Sequence, residues 1–273
     1  MKSSDSAPPS YTLVICTCDA YQDAWDPLFT LFERYWSDVK AIPIVLNTES
    51  EHYQHDGFNI ICPQLYKDHS DPKSVPWSKR LRETLIREVK TDFVLIYLDD
   101  FYLRSPVNTE RLDICLRYME EHRNTANILL YTCPLPYTPT AEYPWLVKRA
   151  KTAPYLFSLQ AGLWRNERLL YFLRDHESPW YFESWGSLRA RRYSDDFYAL
   201  TAIAGKQSVF DYDPVKHGLT QGKWRPGTAE LFLNENLNID FSLRGVIPDN
   251  WLVPRQRRNW IKTAWNIFRS LRP

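Results

Sequence analysis

Along the first half of this chain the hydrophobic pattern switches repeatedly between a strand period and a helix period. Residues 11–17 (YTLVICT) are β-branched and apolar and run into an acidic stretch, the pattern of a buried strand that leads to a site. Residues 25–36 (WDPLFTLFERYW) place apolar side chains at helical spacing, and 42–48 (IPIVLNT) return to a strand pattern. A third strand over 58–62 (FNIIC) precedes a polar loop and a helix over 77–89 (WSKRLRETLIREV). Residues 93–98 (FVLIYL) are continuously apolar, as expected of a central strand covered on both faces, and end in Asp99-Asp100. A helix near 108–122 and a strand near 127–132 follow. Such alternation predicts right-handed βαβ units, hence an α/β fold with a largely parallel central sheet flanked by helices.

The second half is cut into shorter pieces. A Pro-rich connector, 134–144 (PLPYTPTAEYP), leads to an expected strand near 156–160 and a helix over about 166–174. An aromatic loop (178–187, SPWYFESWGS), a helix near 195–204 and a Gly-containing loop (217–224, HGLTQGKW) come next. The last segment spaces Trp260, Ile261, Ala264, Trp265, Phe268 and Leu271 as one helical stripe, with Arg258, Lys262 and Arg269 beside it. We therefore expect a flexible N-terminus (1–10), one domain (11–250) and a basic amphipathic tail (251–273). No internal repeat is visible.

Composition agrees with one sizeable domain. The 273 residues are 44% hydrophobic and 25% charged, which argues against both wholesale disorder and a membrane-spanning fold. No apolar run has the length needed to cross a bilayer. Residues 1–10 are polar and lack the apolar stretch of a signal peptide, so export by that route is not expected. The five cysteines are an odd number scattered mainly through apolar segments, which reads as buried thiols in a reducing, cytosolic compartment.

Charge is unevenly divided. The six cations of residues 251–273, unaccompanied by any acid, leave the rest of the chain at −5 against a formal total of +1. A mildly acidic body speaks against a nucleic-acid partner. Two readings of the tail stand: a helix lying on an anionic membrane surface, or a C-terminal helix whose stripe joins the core.

Candidate chemistry begins at Asp99-Asp100. Adjacent carboxylates at the end of a buried strand are costly unless paired, hydrogen-bonded or bound to a cation. Mg²⁺ or Mn²⁺ held jointly by carboxylates and a diphosphate removes that cost; a capping Asp beside a solvated one is the plainer alternative. Glu183 lies between Trp180, Phe182 and Trp185, surroundings that desolvate a carboxylate, raise its pKa and suit a general base. Neither G-x-G-x-x-G nor G-x-x-x-x-G-K-[ST] occurs, so dinucleotide and P-loop readings lack their phosphate cradle, and G-x-S-x-G is missing too. Eleven tryptophans and seventeen tyrosines, several in loops, are compatible with stacking on sugar rings and equally with loop packing.

The run DFVLIYLDDFYL (92–103), preceded by WSKRLRETL, resembles the strand that delivers the metal-binding acidic motif of GT-A glycosyltransferases, and more narrowly a group of bacterial capsule and lipopolysaccharide transferases with a YLDDF-type motif. The resemblance extends over roughly residues 11–225, including SLQAGLW (158–164), PWYFESWGS (179–187) and GKW (222–224) in order. One departure is Leu98-Asp99-Asp100 where Asp-x-Asp is usual, a carboxylate fewer.

The resemblance implies a GT-A-like domain with a nucleotide-sugar half (about 11–133) and an acceptor half (about 134–250). It implies sugar transfer from a nucleoside diphosphate donor to a glycan or glycolipid acceptor in surface-polysaccharide assembly, with inversion expected. Thr17, Asp19, Asn47 and Glu49 would approach the nucleoside, and Lys79 and Arg82 its base or diphosphate; the plainer reading of those two cations is a solvated helix face. Asp100, with Asp99 and His217, would hold the divalent cation, and Lys223 would neutralise the leaving diphosphate. Glu183 is the favoured base, with Asp195 and Asp196 as rivals that would open a helix or cap it. A lone His is more often a surface residue. Two other classes stay open: a nucleotidyltransferase acting on sugar phosphates, which needs a Gly-rich loop that CTCDAYQDAW does not supply, and a non-catalytic carbohydrate-binding protein.

Overall fold

The computed structural model describes residues 7–133, 135–201, 208–248 and 260–271, with no side-chain placement for 260–264. The expected flexible residues 1–6, the end of the expected 195–204 helix and tail cations Arg255, Arg257 and Arg258 lie outside them. Strands β1 (Tyr11–Cys16), β2 (Ile44–Asn47), β3 (Ile60–Ile61) and β4 (Phe93–Leu98) pair in the parallel order β3–β2–β1–β4. Helix α1 (Trp25–Tyr35) follows β1, α2 (Trp77–Glu88) precedes β4, and α3 (Thr109–Glu121) follows it.

Alternation along β1 explains the layering. Leu13 and Ile15 point to one face, where Phe29 and Phe32 of α1 and Leu112 and Leu116 of α3 pack; Val14 and Cys16 point to the other, against Leu81 and Leu85 of α2. Both faces are sealed, so a mainly apolar strand run is the stable solution, and the buried Thr12 finds a hydroxyl partner in Thr91 at 2.9 Å. The chain winds from β1 to β2 in one direction and returns to β4 on the other side. This reversal is the topological switch point, beyond whose carboxyl ends ligands of such sheets bind.

The rest of the sheet departs from the expected parallel pattern. Strands β5 (Thr125–Thr132), β6 (Tyr137–Pro139), β7 (Leu146–Arg149), β8 (Gly162–Arg165) and β9 (Asp196–Leu200) extend it to β3–β2–β1–β4–β8–β5–β9–β7–β6 among the described residues. β8 runs antiparallel to both β4 and β5, while β5 and β9 are parallel; the sheet is mixed. Residues 156–160 form no strand. Leu156 and Phe157 enter the α2-side core, and buried Arg149 donates to the carbonyls of Pro154, Tyr155 and Leu156, so their carbonyls bond a side chain instead of a ladder.

The expected helix near 195–204 is corrected to a strand. Phe197 packs in the α2-side core and Tyr198 in the α1-side core, a two-residue period that a helix cannot satisfy. The aromatic stretch expected as a loop is instead helical: after α4 (Asn166–Phe172) come α5 (Pro179–Tyr181), a π turn over Phe182–Gly186 and α6 (Ser187–Ala190). Ser178 caps it by accepting from Tyr181 N–H at 3.3 Å, and a Cβ at Gly186 would stand 2.5 Å from the Phe157 ring.

The Gly-containing loop is a small hairpin, β10 (Leu219–Thr220) and β11 (Lys223–Trp224), turned by Gln221 and Gly222, both at positive φ. Helices α7 (Pro226–Asn234) and α8 (Trp260–Leu271) close the chain. Among the described residues no helix is long and apolar enough to cross a membrane.

Candidate functional site

Cys16 lies opposite both Asn47 and Leu98 in the ladders, so the residues just past β1, β2 and β4 form one edge. Thr17 donates its hydroxyl to Asp99 and accepts from the Trp25 indole N–H at 2.7 Å. Asp19 and Glu49 clasp each other: Glu49 and Ser50 N–H donate to the Asp19 carboxylate at 2.8 and 2.9 Å, and Asp19 N–H donates back to Glu49. Thr17, Asp19, Asn47, Glu49 and Asp99 are thus brought together. The Asp19 carboxylate thus ties the loop after β1 to the loop after β2.

Of the α2 cations Lys79, Arg80 and Arg82, it is Arg80 that reaches this edge. Its guanidinium is buried, pairs with Glu49 and donates to the Thr17 carbonyl at 2.8 Å. Lys79 and Arg82 instead point outward, 3.9 Å from Glu83 and 3.4 Å from Asp175. Helical phase carries the signal: Arg80 and Thr84 share a face with Leu81 and Leu85, whereas 79, 82 and 83 fall on the other side. Four buried polar atoms around these strand ends and the start of α2 have no hydrogen-bond partner in the protein: Asn47 Nδ2, Thr48 Oγ1, Ser78 Oγ and Arg80 Nε. All four carry N–H or O–H donors, the group type that a polyanionic or nucleoside ligand would satisfy. Beside them lies a cleft of about 330 Å³, lined by Glu49, Arg80, residues 73–77 and His176, Glu177 and Ser178.

Asp99 and Asp100 stand next to one another at the switch point. Burial pushes Asp99 well above the usual carboxylate range, and the Asp100 charge adds to this against the opposing Thr17 hydrogen bond. Burial raises Asp100 too, with Leu219 N–H, 3.0 Å from Oδ2, acting the other way. Gly218 explains how the hairpin comes this close: at φ +94° its missing Cβ would sit 2.8 Å from Asp100 Oδ2. His217, the preceding residue, is buried, and its Nδ1 has no partner. Burial first, then Arg104, lowers its pKa and keeps the imidazole neutral.

Asp99, Asp100 and His217 do not close into a metal cage, and among the described residues no group of three or more acidic, His or Cys ligands does. The donor set still fits a divalent ion of the Mg²⁺ type, which takes one or two carboxylates and completes its shell with water and phosphate oxygens. Two desolvated neighbouring carboxylates are the arrangement that such a charge relieves.

This predicts a pH signature. A carboxyl group whose folded pKa is raised contributes stability that is complete below its unfolded value of about 4 and is lost as pH rises through the folded value. In chelator-treated protein, Asp99→Asn is therefore expected to raise the melting temperature over wild type by a margin that grows from pH 4 to pH 8. A margin that is flat or reversed in thermal melts would show that Asp99 is not protonated in the folded state.

Other sequence candidates are distributed as follows. Glu183 lies on the π turn and accepts from Leu159 N–H at 2.7 Å; Leu159 leads into β8, whose Gly162 faces Ile96 of β4, so Glu183 belongs to the carboxyl edge. Burial raises its pKa. The expectation that Asp195 and Asp196 open a helix is corrected: Asp196 opens strand β9 opposite Thr125 and Asp195 precedes it, at the other end of the sheet from Asp99. There Asp195 takes a bidentate ion pair from Arg168 at 2.5 Å, and Asp196 pairs with Lys148 at 2.7 Å. Lys223 sits in the hairpin with Nζ 3.4 Å from the Arg244 carbonyl. Arg244 was not legible in sequence: it pairs with Asp23, stacks 4.8 Å from the Tyr21 ring centre and lowers the Asp99 pKa. Cys16 is buried with its thiol pushed up to about 12, an inert core residue.

The chain matches no protein-family model and no curated protein sequence.

Proposed function

We propose that this protein is a glycosyltransferase with a GT-A-like domain that moves a sugar from a nucleoside diphosphate donor to a glycan acceptor, lipid-linked in surface-polysaccharide assembly. The observation that carries the proposal is the pair of desolvated carboxylates, Asp99 and Asp100, at the switch point beside the Arg80–Glu49 cleft. The resemblance of roughly residues 11–225, most narrowly the run 92–103, to capsule and lipopolysaccharide transferases supports the same reading. A nucleotidyltransferase would use the same buried acids but needs a Gly-rich phosphate loop after its first strand, which CTCDAYQDAW does not supply, and a purely carbohydrate-binding protein has no use for a cation-held diphosphate.

In this reading the nucleoside lies against Thr17, Asn47 and Glu49, with Arg80 as the nearest cation. When a divalent cation, Mn²⁺ or Mg²⁺, is bound, it supplies positive charge to the donor diphosphate; Asp100, with Asp99 and His217, would hold it. Lys223 and Arg244 add charge as the nucleoside diphosphate departs. Glu183 removes the proton of the attacking acceptor hydroxyl, and the anomeric carbon exchanges its bond to phosphate oxygen for one to the acceptor with inversion. The tail, with its excess of cations, holds the enzyme at the cytoplasmic face of an anionic membrane, where lipid-linked acceptors lie.

Thermal melts with nucleoside diphosphates and Mn²⁺, followed by a nucleotide-sugar panel assayed for slow hydrolysis, test the proposal. Stabilisation and hydrolysis are expected together. Stabilisation without hydrolysis of any donor favours a binding protein, and the absence of both effects overturns the site. Glu183→Gln is expected to lower kcat by about 10²–10⁴-fold while leaving nucleotide stabilisation intact. Because burial raises the Glu183 pKa and a base acts deprotonated, wild-type kcat should rise with pH through a value above the usual carboxylate range. A glutamine variant at wild-type rate would remove Glu183 from the chemistry.

A further inference from the structure

The element that carries Glu183 has an outer face of its own. Trp180, Ser184, Leu188 and Arg191 are exposed at successive turns of the run through α5, the π turn and α6, with Trp180 at 73% and Leu188 at 40%. Helix α8 packs against the π turn and α6, and it too turns a large apolar pair outward: Trp265 and Phe268 are 59% and 49% exposed, their rings 5.8 Å apart. The last turn of α8 is firmly seated. Buried Arg189, ion-paired with Glu177 at 2.5 Å, donates to the Ser270 carbonyl at 2.8 Å; His176 bonds the Ser270 hydroxyl at 2.9 Å, and Arg192 donates to the Leu271 carbonyl at 2.7 Å. The tail helix is therefore docked on one side and open on the other, so the two sequence readings of the tail are compatible.

We infer that these two neighbouring helical elements form one composite face that lies on an anionic lipid surface, so that the segment bearing Glu183 is itself part of the membrane contact. Charge selects the occupant. Arg191, Arg192 and Arg269 are exposed beside the apolar groups, α8 contains no acid, and the single acid of α5 through α6 is Glu183, whose carboxylate turns inward to Leu159 N–H. A second copy meeting this face about a two-fold axis would set the same arginines against each other. Anionic headgroups pair with them while Trp180 and Trp265 take the interfacial position that indole rings favour. At twelve residues α8 measures about 18 Å, too short to span a bilayer and suited to lying in its plane.

The inference deepens the membrane part of the proposed function and goes beyond a tail acting as a tether. Because α8 covers the Arg189–Glu177 pair, tail deletion would uncover a buried ion pair; outward-facing substitutions are the sound test. The full chain is sedimented with vesicles of phosphatidylglycerol and phosphatidylcholine, and with phosphatidylcholine alone. Wild type should bind only the anionic vesicles. Trp180→Ser with Leu188→Ser, tail untouched, should weaken binding by about tenfold or more, as should Trp265→Ser with Phe268→Ser. Arg191→Glu should weaken it in a salt-sensitive way. Wild-type sedimentation by the Trp180/Leu188 variant would leave the tail as sole anchor and overturn the composite face. So would absence of wild-type binding, or a wild-type dimer that this variant dissociates. Nucleotide-induced stabilisation in lipid-free solution separates the two ideas: its loss in every form with vesicle binding intact sinks the transferase reading alone, and the converse sinks only the face.

Discussion

Asp100→Ala is expected to lower sugar transfer by about 10³-fold or more while the protein remains folded. The carboxylate sits where the β4 edge meets the β10–β11 hairpin, and the diphosphate charge of the departing group would be held there. Folding should survive because two effects oppose each other. Leu219 N–H loses its acceptor, at a cost of about 1–3 kcal/mol, while the removal of a desolvated acid beside Asp99 relieves like-charge repulsion. Asp100→Asn separates charge from hydrogen bonding, since its amide oxygen still accepts from Leu219; it should be as inactive as the alanine variant and melt at least as high as wild type. Donor turnover measured with saturating Mn²⁺ decides the matter, and wild-type turnover in either variant would defeat the assignment of the switch point as the diphosphate site.

Arg80→Ala carries the largest expected loss of stability, about 3–5 kcal/mol, because it leaves Glu49 buried without its cation. That is a substantial share of the 5–15 kcal/mol typical of a folded domain. The same change removes the buried cation of the cleft, so nucleoside diphosphate should no longer stabilise what remains folded. Urea unfolding gives the first quantity and ligand-induced melting shifts the second. Glu49→Gln in the Arg80→Ala background should recover part of the stability and none of the nucleotide response. Recovery of both would reduce the pair to a structural clasp.

The contrast between Arg80 and its neighbours shows where local reading stops. The amphipathic phase of residues 77–89 was visible in the sequence, so a helix was expected and α2 formed; that phase also separates Arg80 from Lys79 and Arg82. Which side meets β1 and β2 depends on how α2 packs. The buried arginine is paid for only by partners 31 and 63 residues away, Glu49 and the Thr17 carbonyl.

By itself the sequence determined the elements whose burial is uniform along their length. β1 and β4 are apolar on both faces, α1 to α3 repeat at one helical period, and an acidic pair follows the clearest central strand; local periodicity and hydrophobic burial suffice for all of these. Only the tertiary structure decided the rest. Residues 196–200 read as part of a helix near 195–204 until β5 and the two cores on either side of the sheet impose a two-residue alternation. Likewise β8 is antiparallel because the chain returns between β4 and β5, and Asp195 and Asp196 leave the site because that ordering sends them to the opposite edge. Arg244 reaches the neighbourhood of Asp99 across 145 residues of chain, and no local pattern encodes such a meeting. The physical reason is the same throughout: secondary structure responds to neighbours within a turn or two, whereas strand order, edge and charge pairing are set by contacts that exist only after the layers have packed.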